Sequence, residues 1–152
     1  GYDKTAEWAE STADILACGS KADTFSFDAY IRRDRDALGT FDLSSFSSDY
    51  QQCSYNEGQG ADELIAVIDQ FEAWIEADQN SLGAPYTYAV LAPDYETEEL
   101  DFFWGNFHQS AELRDAGNAN FLATGMDVQN AFDEVVSCET PVHYNSGEIP
   151  LT

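Results

Sequence analysis

Basic residues are what this chain most lacks. Its 152 residues hold 6 Lys and Arg against 29 Asp and Glu, a formal net charge of −23. Nucleic-acid binding depends on Lys and Arg that neutralise phosphates, so that class of partner is excluded. The same charge disfavours anionic membrane surfaces and acidic substrates. Long apolar runs are also missing. The run Ala89-Val90-Leu91-Ala92 is typical of the longest, far short of the roughly 20 residues a membrane-spanning helix needs. Only 3 Cys and 2 His are present, and no two Cys form a CxxC pair, so a structural zinc site lacks its ligands. There is no GxSxG, no HExxH and no phosphate-cradling glycine loop; the turn Gly58-Gln59-Gly60 is too short for one. No cofactor is expected.

What is present is a globular composition. Hydrophobic residues make up 43% and aromatics 14%, too rich for a disordered acidic tail. The length fits one domain or slightly more. So acidic a chain suits a saline or calcium-rich medium, where counter-ions screen its self-repulsion, and its melting temperature is expected to rise with added salt or Ca²⁺. That habit, with cysteines able to bridge, fits a secreted, extracellular or periplasmic protein. No signal peptide precedes Gly1-Tyr2-Asp3, which reads as a mature or processed start. Ile15-Leu16-Ala17-Cys18-Gly19 has the look of a lipoprotein processing box. Glu7, Glu10 and Asp14 occupy the positions its apolar region would need, so lipidation is rejected.

Periodicity divides the chain near residue 48. The N-terminal segment, residues 1–47, reads as a helix over 4–17, a strand over Asp23–Arg32 and a charged, Ser-rich linker over 33–47 whose Phe41, Leu43 and Phe46 should dock somewhere. Asp34 and Asp36 alternate there with Arg32, Arg33 and Arg35 as mutual ion pairs. In the second domain, residues 48–152, Tyr50–Tyr55 reads as a strand. Ala61–Ala77 is the clearest helix, with Leu64, Ile65, Val67, Ile68, Phe71, Trp74 and Ile75 on one broad face and Asp62 and Glu63 in its first turn. Tyr86–Ala92 and Leu100–Phe107 read as strands. Gln109–Leu122 reads as helical with breaks at Gly117 and Asn118, Val128–Val135 as a second helical piece, and Val135–Tyr144 as a final strand. The order β-α-β-β-α-β predicts an α+β, ferredoxin-like antiparallel sheet with helices on one face. The other face is left open, and Tyr86, Tyr88, Phe102 and Trp104 are expected on it. An exposed aromatic face of that kind calls for a partner, a second copy or a closely related chain, unless residues 1–47 cover it.

A weak internal repeat matches Trp8–Arg32 to Asn130–Leu151. Each places a Cys, Cys18 or Cys138, just after an apolar pair that follows a helix. On that reading residues 1–32 are the tail of a preceding copy of the unit. The first and last strands of the complete unit are sheet neighbours, which brings Cys53 and Cys138 within disulfide reach. The alternative pairs Cys18 with one of them and leaves the other free.

Cys53-Ser54-Tyr55-Asn56-Glu57-Gly58 leading into a helix, Tyr88–Pro93, Leu100-Asp101-Phe102-Phe103-Trp104-Gly105 with Phe107 and Ser110, and Ala131–Cys138 together resemble the dimeric α+β barrel superfamily. That superfamily includes NIPSNAP-like, EthD-like and antibiotic-biosynthesis-monooxygenase-like domains. The resemblance covers about two-thirds of the chain. It implies two sheets packed face to face, in homodimers or tandem repeats. Its members include cofactor-free oxygenases, haem-handling proteins, isomerases and proteins with no known activity, so the fold does not choose a function.

Two functions follow as expectations. The first is a non-catalytic secreted protein that self-associates through its open sheet face, as a subunit of an extracellular assembly. The second is a small oxygenase-like or ligand-binding enzyme. The resemblance places His108 near the barrel mouth, where superfamily histidines serve catalysis or haem ligation; the plain alternative is a helix-start histidine. Tyr88, Trp104 and His108 are the pocket candidates, with Tyr86 and Phe102 beside them; aromatics at strand spacing are more often simple core. His143, in or beside the last strand, carries less. Asp94, Glu96, Glu98 and Asp101 form an acidic loop with weak Ca²⁺ character; it lacks the EF-hand pattern.

Overall fold

A computed structural model describes residues 26–31, 41–77 and 82–147. The helix expected over 4–17, Cys18, the arginine-rich stretch 32–36 and most of the first copy of the repeat lie outside the described residues. The chain is α+β: a six-stranded antiparallel sheet with three helices. The elements run β1 (Phe27–Tyr30), β2 (Phe46–Tyr55), α1 (Ala61–Ala77), β3 (Tyr86–Pro93), β4 (Phe102–His108), α2 (Ala111–Thr124), α3 (Met126–Val135), β5 (Val136–Cys138) and β6 (Val142–Ser146). The strand order is β1-β3-β4-β2-β5, with β6 also paired to β2. β1 thus joins the sheet of the second domain as an edge strand, and β2 opens at Phe46, inside the stretch expected to be linker. Of the residues there expected to dock, Phe41 meets Phe46, which meets Phe107, whereas Leu43 is exposed.

Helix α1 forms where its periodicity predicts. Leu64, Val67, Ile68, Phe71 and Ile75 are buried at three- and four-residue intervals, and Asp62 and Glu63 sit at its positive end. The core joins these to Cys53, Tyr86, Tyr88, Val90, Phe102 and Trp104 from the sheet and to Val128 and Val135 from α3. Phe71 is its hub, with ring centroids of Tyr88 at 5.4 Å, Trp104 and Phe121 at 5.8 Å and Phe132 at 5.9 Å.

Three expectations are corrected. Tyr86, Tyr88, Phe102 and Trp104 do not lie on the open face; all four are buried in the helix-covered core. Side chains alternate along a strand, so assigning one ring to the wrong side moves every second residue with it. The open side carries Phe103, Phe107 and Tyr50 instead, with Phe27 against Phe103 and Tyr144 against Tyr50. On that side Tyr50 lies over Gly105, where an added Cβ would meet its ring at 3.0 Å.

Helix α2 runs unbroken through Gly117 and Asn118. Gly117 is there because the helix presses on the Leu82 backbone: a Cβ would stand 2.4 Å from the Leu82 carbonyl oxygen. The break falls at Gly125, which ends α2 and begins α3, its N–H donating to Phe121 O at 2.7 Å.

The single final strand is two strands. Cys53 faces Cys138 and Tyr50 faces Val142, so Gln51 and Gln52 oppose Glu139, Thr140 and Pro141, one residue more on the returning strand. That is a β-bulge, placed where Pro141 has no N–H to give the ladder. Glu139 N–H still donates to Gln52 O at 2.9 Å. Beyond the bulge the parity is reversed. His143 therefore shares the helix-facing side with Asp49, and Tyr144 the open side with Tyr50.

Candidate functional site

Helix α2 is a poor lid. Gly117 is its only buried residue. Ser110 caps it, accepting from Leu113 N–H at 3.3 Å, and Gly117 fixes one point of it against Leu82. Phe121 then turns inward onto Trp74 at 4.9 Å. Asn118 and the exposed Leu122 are left at a lip. Between α2, α3 and the sheet lies a groove of about 380 Å³, within the ~300–1,000 Å³ range of small-molecule sites.

Its walls are aromatic: Phe71, Tyr86, Phe102, Trp104, Phe121 and Phe132. Its polar groups are carboxylates and amides: Asp49 and Gln51 from β2, Asn106 from β4, Asn118 from α2, and Gln129 and Asp133 from α3. Among the described residues no Lys, Arg or His lines it. Of the Lys and Arg in the sequence, Arg114 alone lies beyond residue 35, and its guanidinium is committed to Asp115 at 2.8 Å and Ser47 at 3.2 Å.

The polar groups form a chain. Tyr86 O–H and Trp104 Nε1–H both donate to Asn106 Oδ1, at 2.7 and 2.9 Å. Asn106 Nδ2–H donates to Asp49 Oδ1 at 2.8 Å. The indole and phenol thereby fix the amide, and the amide fixes the carboxylate. The Asp49 side chain is 3% exposed, and its Oδ2 has His143 Nδ1 at 3.9 Å, too far for a hydrogen bond and ionic only when the imidazole is protonated. A carboxylate this buried normally has a close cation or several donors.

Of the three pocket candidates of the sequence the groove contains Trp104, together with Tyr86 and Phe102 named beside them. Tyr88 lies behind Trp104, stacked on the indole at 4.8 Å, its hydroxyl donating to Glu72 Oε1 at 2.5 Å. His108 ends β4, 1% exposed, with its ring 4.9 Å from Tyr86, and does not line the groove. Burial pushes its pKa below the usual imidazole value, against the opposing pull of Asp49 and a hydrogen bond with the Leu82 backbone. Nδ1 has no hydrogen-bond partner, as a neutral ring bonded through its other nitrogen would have. Cys53 and Cys138 form a disulfide across facing positions of β2 and β5, with Cα atoms 4.1 Å apart, and Cys138 borders the groove.

The acidic loop is used for bracing. Asp94 Oδ1 accepts from Ser26 Oγ at 2.6 Å, and Asp101 Oδ2 from Tyr55 N–H at 2.7 Å. Among the described residues no group of three or more His, Cys, Asp or Glu is arranged to hold a metal ion.

Asp49 and Asn106 were missed by sequence reasoning. The signal was parity: Asn106 follows Phe102 and Trp104 at every second place, so a polar residue stands on a core-facing row. Asp49 does the same ahead of Gln51 and Cys53. No protein-family model, no curated protein and no solved structure matches this chain.

Proposed function

We propose that this protein is a non-catalytic binding domain that takes a small ligand in the groove between its sheet and α2–α3. One observation carries the reading: six aromatic walls converge with the Tyr86–Asn106–Asp49 chain on a groove large enough for a small molecule. Binding is favoured over acid–base catalysis because His108 faces Tyr86 and Leu82 outside the groove, where it cannot reach a ligand proton. The strand order, with β5 and β2 at one side and β4 and β3 following, supports a ferredoxin-like unit of the dimeric α+β barrel type. The Cys53–Cys138 bridge supports an oxidising compartment, and with it secretion to the periplasm or the cell exterior.

The test is a fragment screen read by NMR. Binders should shift the Trp104 indole N–H and the Asn106 and Gln129 side-chain amides, and Gln129→Trp, which fills the groove, should abolish the Trp104 and Asn106 shifts. Binders that act only elsewhere, or that are indifferent to Gln129→Trp, would overturn the reading.

A second reading concerns the other face. Two groups of touching rings lie there, Phe27 with Phe103 and Phe107 with Tyr50 and Tyr144, which supports self-association with a second copy. Sedimentation measures it: a chain monomeric at micromolar concentration excludes that partner.

A further inference from the structure

We infer that the ligand of the groove is an organic cation, an amine or quaternary ammonium whose charge meets Asp49 and whose apolar part lies on the Trp104 and Phe132 rings. The inference rests on the binding reading above and adds the charge of the ligand. Asp49 is a buried carboxylate on the groove wall with a single hydrogen bond to one oxygen. Its other oxygen has only His143, itself half-exposed, at 3.9 Å. Among the described residues no close cation balances that charge. Arg114 is spent on Asp115 and Ser47, and among the described residues no basic side chain lines the groove. A bare metal ion is a poor substitute, because among the described residues no set of three ligating side chains converges.

The surroundings select the rest of the ligand. Asp133 stands on the opposite wall, so the groove presents carboxylates from two sides, and a cleft lined by one sign of charge concentrates ions of the other. Trp104 and Phe132 line the same groove, and aromatic rings attract cations within about 6 Å of the ring centre. An ammonium satisfies both at once. An anion would meet carboxylates with no donor but amides, and a neutral ligand, even one donating a hydrogen bond to Asp49 Oδ2, would leave the charge unbalanced.

The experiment holds shape constant and varies charge. Choline, its uncharged carbon counterpart 3,3-dimethylbutan-1-ol and the anion 3,3-dimethylbutanoate are titrated into the intact protein, following the Trp104 indole N–H by NMR. Choline should bind at least about tenfold more tightly than the alcohol, a modest share of what close charge pairs contribute. The anion should bind least, and the preference should shrink as NaCl rises. Asp49→Asn should remove the preference. Since that side chain is buried, the exposed Asp133→Lys serves as the second variant; it should weaken choline several-fold and leave the alcohol unchanged. If the alcohol or the anion binds as well as choline, the cation inference fails and the binding groove stands. If none of the three moves the Trp104 signal, the groove reading fails with it.

Discussion

Helices α1 and α2 cover the same face of one sheet with opposite results. α1 lays Leu64, Val67, Ile68, Phe71 and Ile75 into the sheet and closes it. α2 offers one buried glycine and the half-buried Phe121, and a groove remains beneath it. The two helices are similar in length, so extent of coverage is not the cause. A helix seals a sheet only when its apolar positions recur on one stripe. α2 carries Asn118 and Asn120 within its middle turns, and Gly117 brings its backbone close at a single point. A groove thus arises here from incomplete packing by one polar helix beside a well-packed one.

Truncation tests that contrast most strongly. Phe71→Ala removes the ring that Tyr88, Trp104, Phe121 and Phe132 share. It should cost about 3–5 kcal/mol in urea denaturation. Leu122→Ala on the lip of α2, where the side chain is exposed, should change stability by no more than about 0.5 kcal/mol. Comparable losses from the two would mean that α2 is as integral to the core as α1.

The disulfide fastens the strand that borders the groove. Its partners are separated by 85 residues, and the double variant Cys53→Ala/Cys138→Ser should lose about 2–4 kcal/mol. Denaturation of the oxidised protein and the double variant, both without reductant, gives the difference. A value near zero would mean that the β2–β5 pairing holds without the link.

Gly117→Ala probes the one tight contact of α2. The new Cβ meets backbone, which cannot swing aside, so α2 must shift. The expected cost is about 1–3 kcal/mol, with changed NMR signals for Phe121 and Trp104. An unperturbed variant would show that α2 floats over Leu82.

The smallest effect concerns His108. Its folded pKa lies below the ordinary imidazole value, chiefly through burial. Between the two values the unfolded chain binds more protons than the folded one, so stability rises with pH across that window. The His108 contribution is therefore fully present above about pH 6.5 and is lost as pH falls from there toward the folded pKa. Stability curves from pH 5 to 8 should show this slope, and His108→Gln should flatten it. An unchanged slope in the variant would assign the protons to other groups.

Much of the fold was legible because it rests on local pattern. α1 lies where its three-and-four spacing put it, and β3 and β4 follow their aromatic alternation to within a residue or two. The Cys53–Cys138 pair could be anticipated once the first and last strands were made neighbours. The candidate site was far less legible. Trp104 was named for its ring, but Tyr88 and His108 were named beside it although the first lies behind the indole and the second faces Leu82. Asp49, the buried carboxylate of the groove, fell just ahead of the strand as it was read, and Asn106 passed as an ordinary strand residue. A polar residue on a core-facing row becomes visible only when the face of that row is known.

Composition and periodicity by themselves determined the acidic character, the α+β order, the place of α1 and the reach of the disulfide. These depend on residues near one another in sequence, or on strand pairing that the β-α-β-β-α-β order already implies. Tertiary structure alone decided which side of the sheet each ring occupies, that α2 stays whole over Leu82, and that a bulge at Glu139–Pro141 turns His143 toward Asp49. The physical reason is the two-residue period of a strand. It leaves two choices of face that look identical in sequence, and a single inserted residue exchanges them, so only contacts between distant segments can choose.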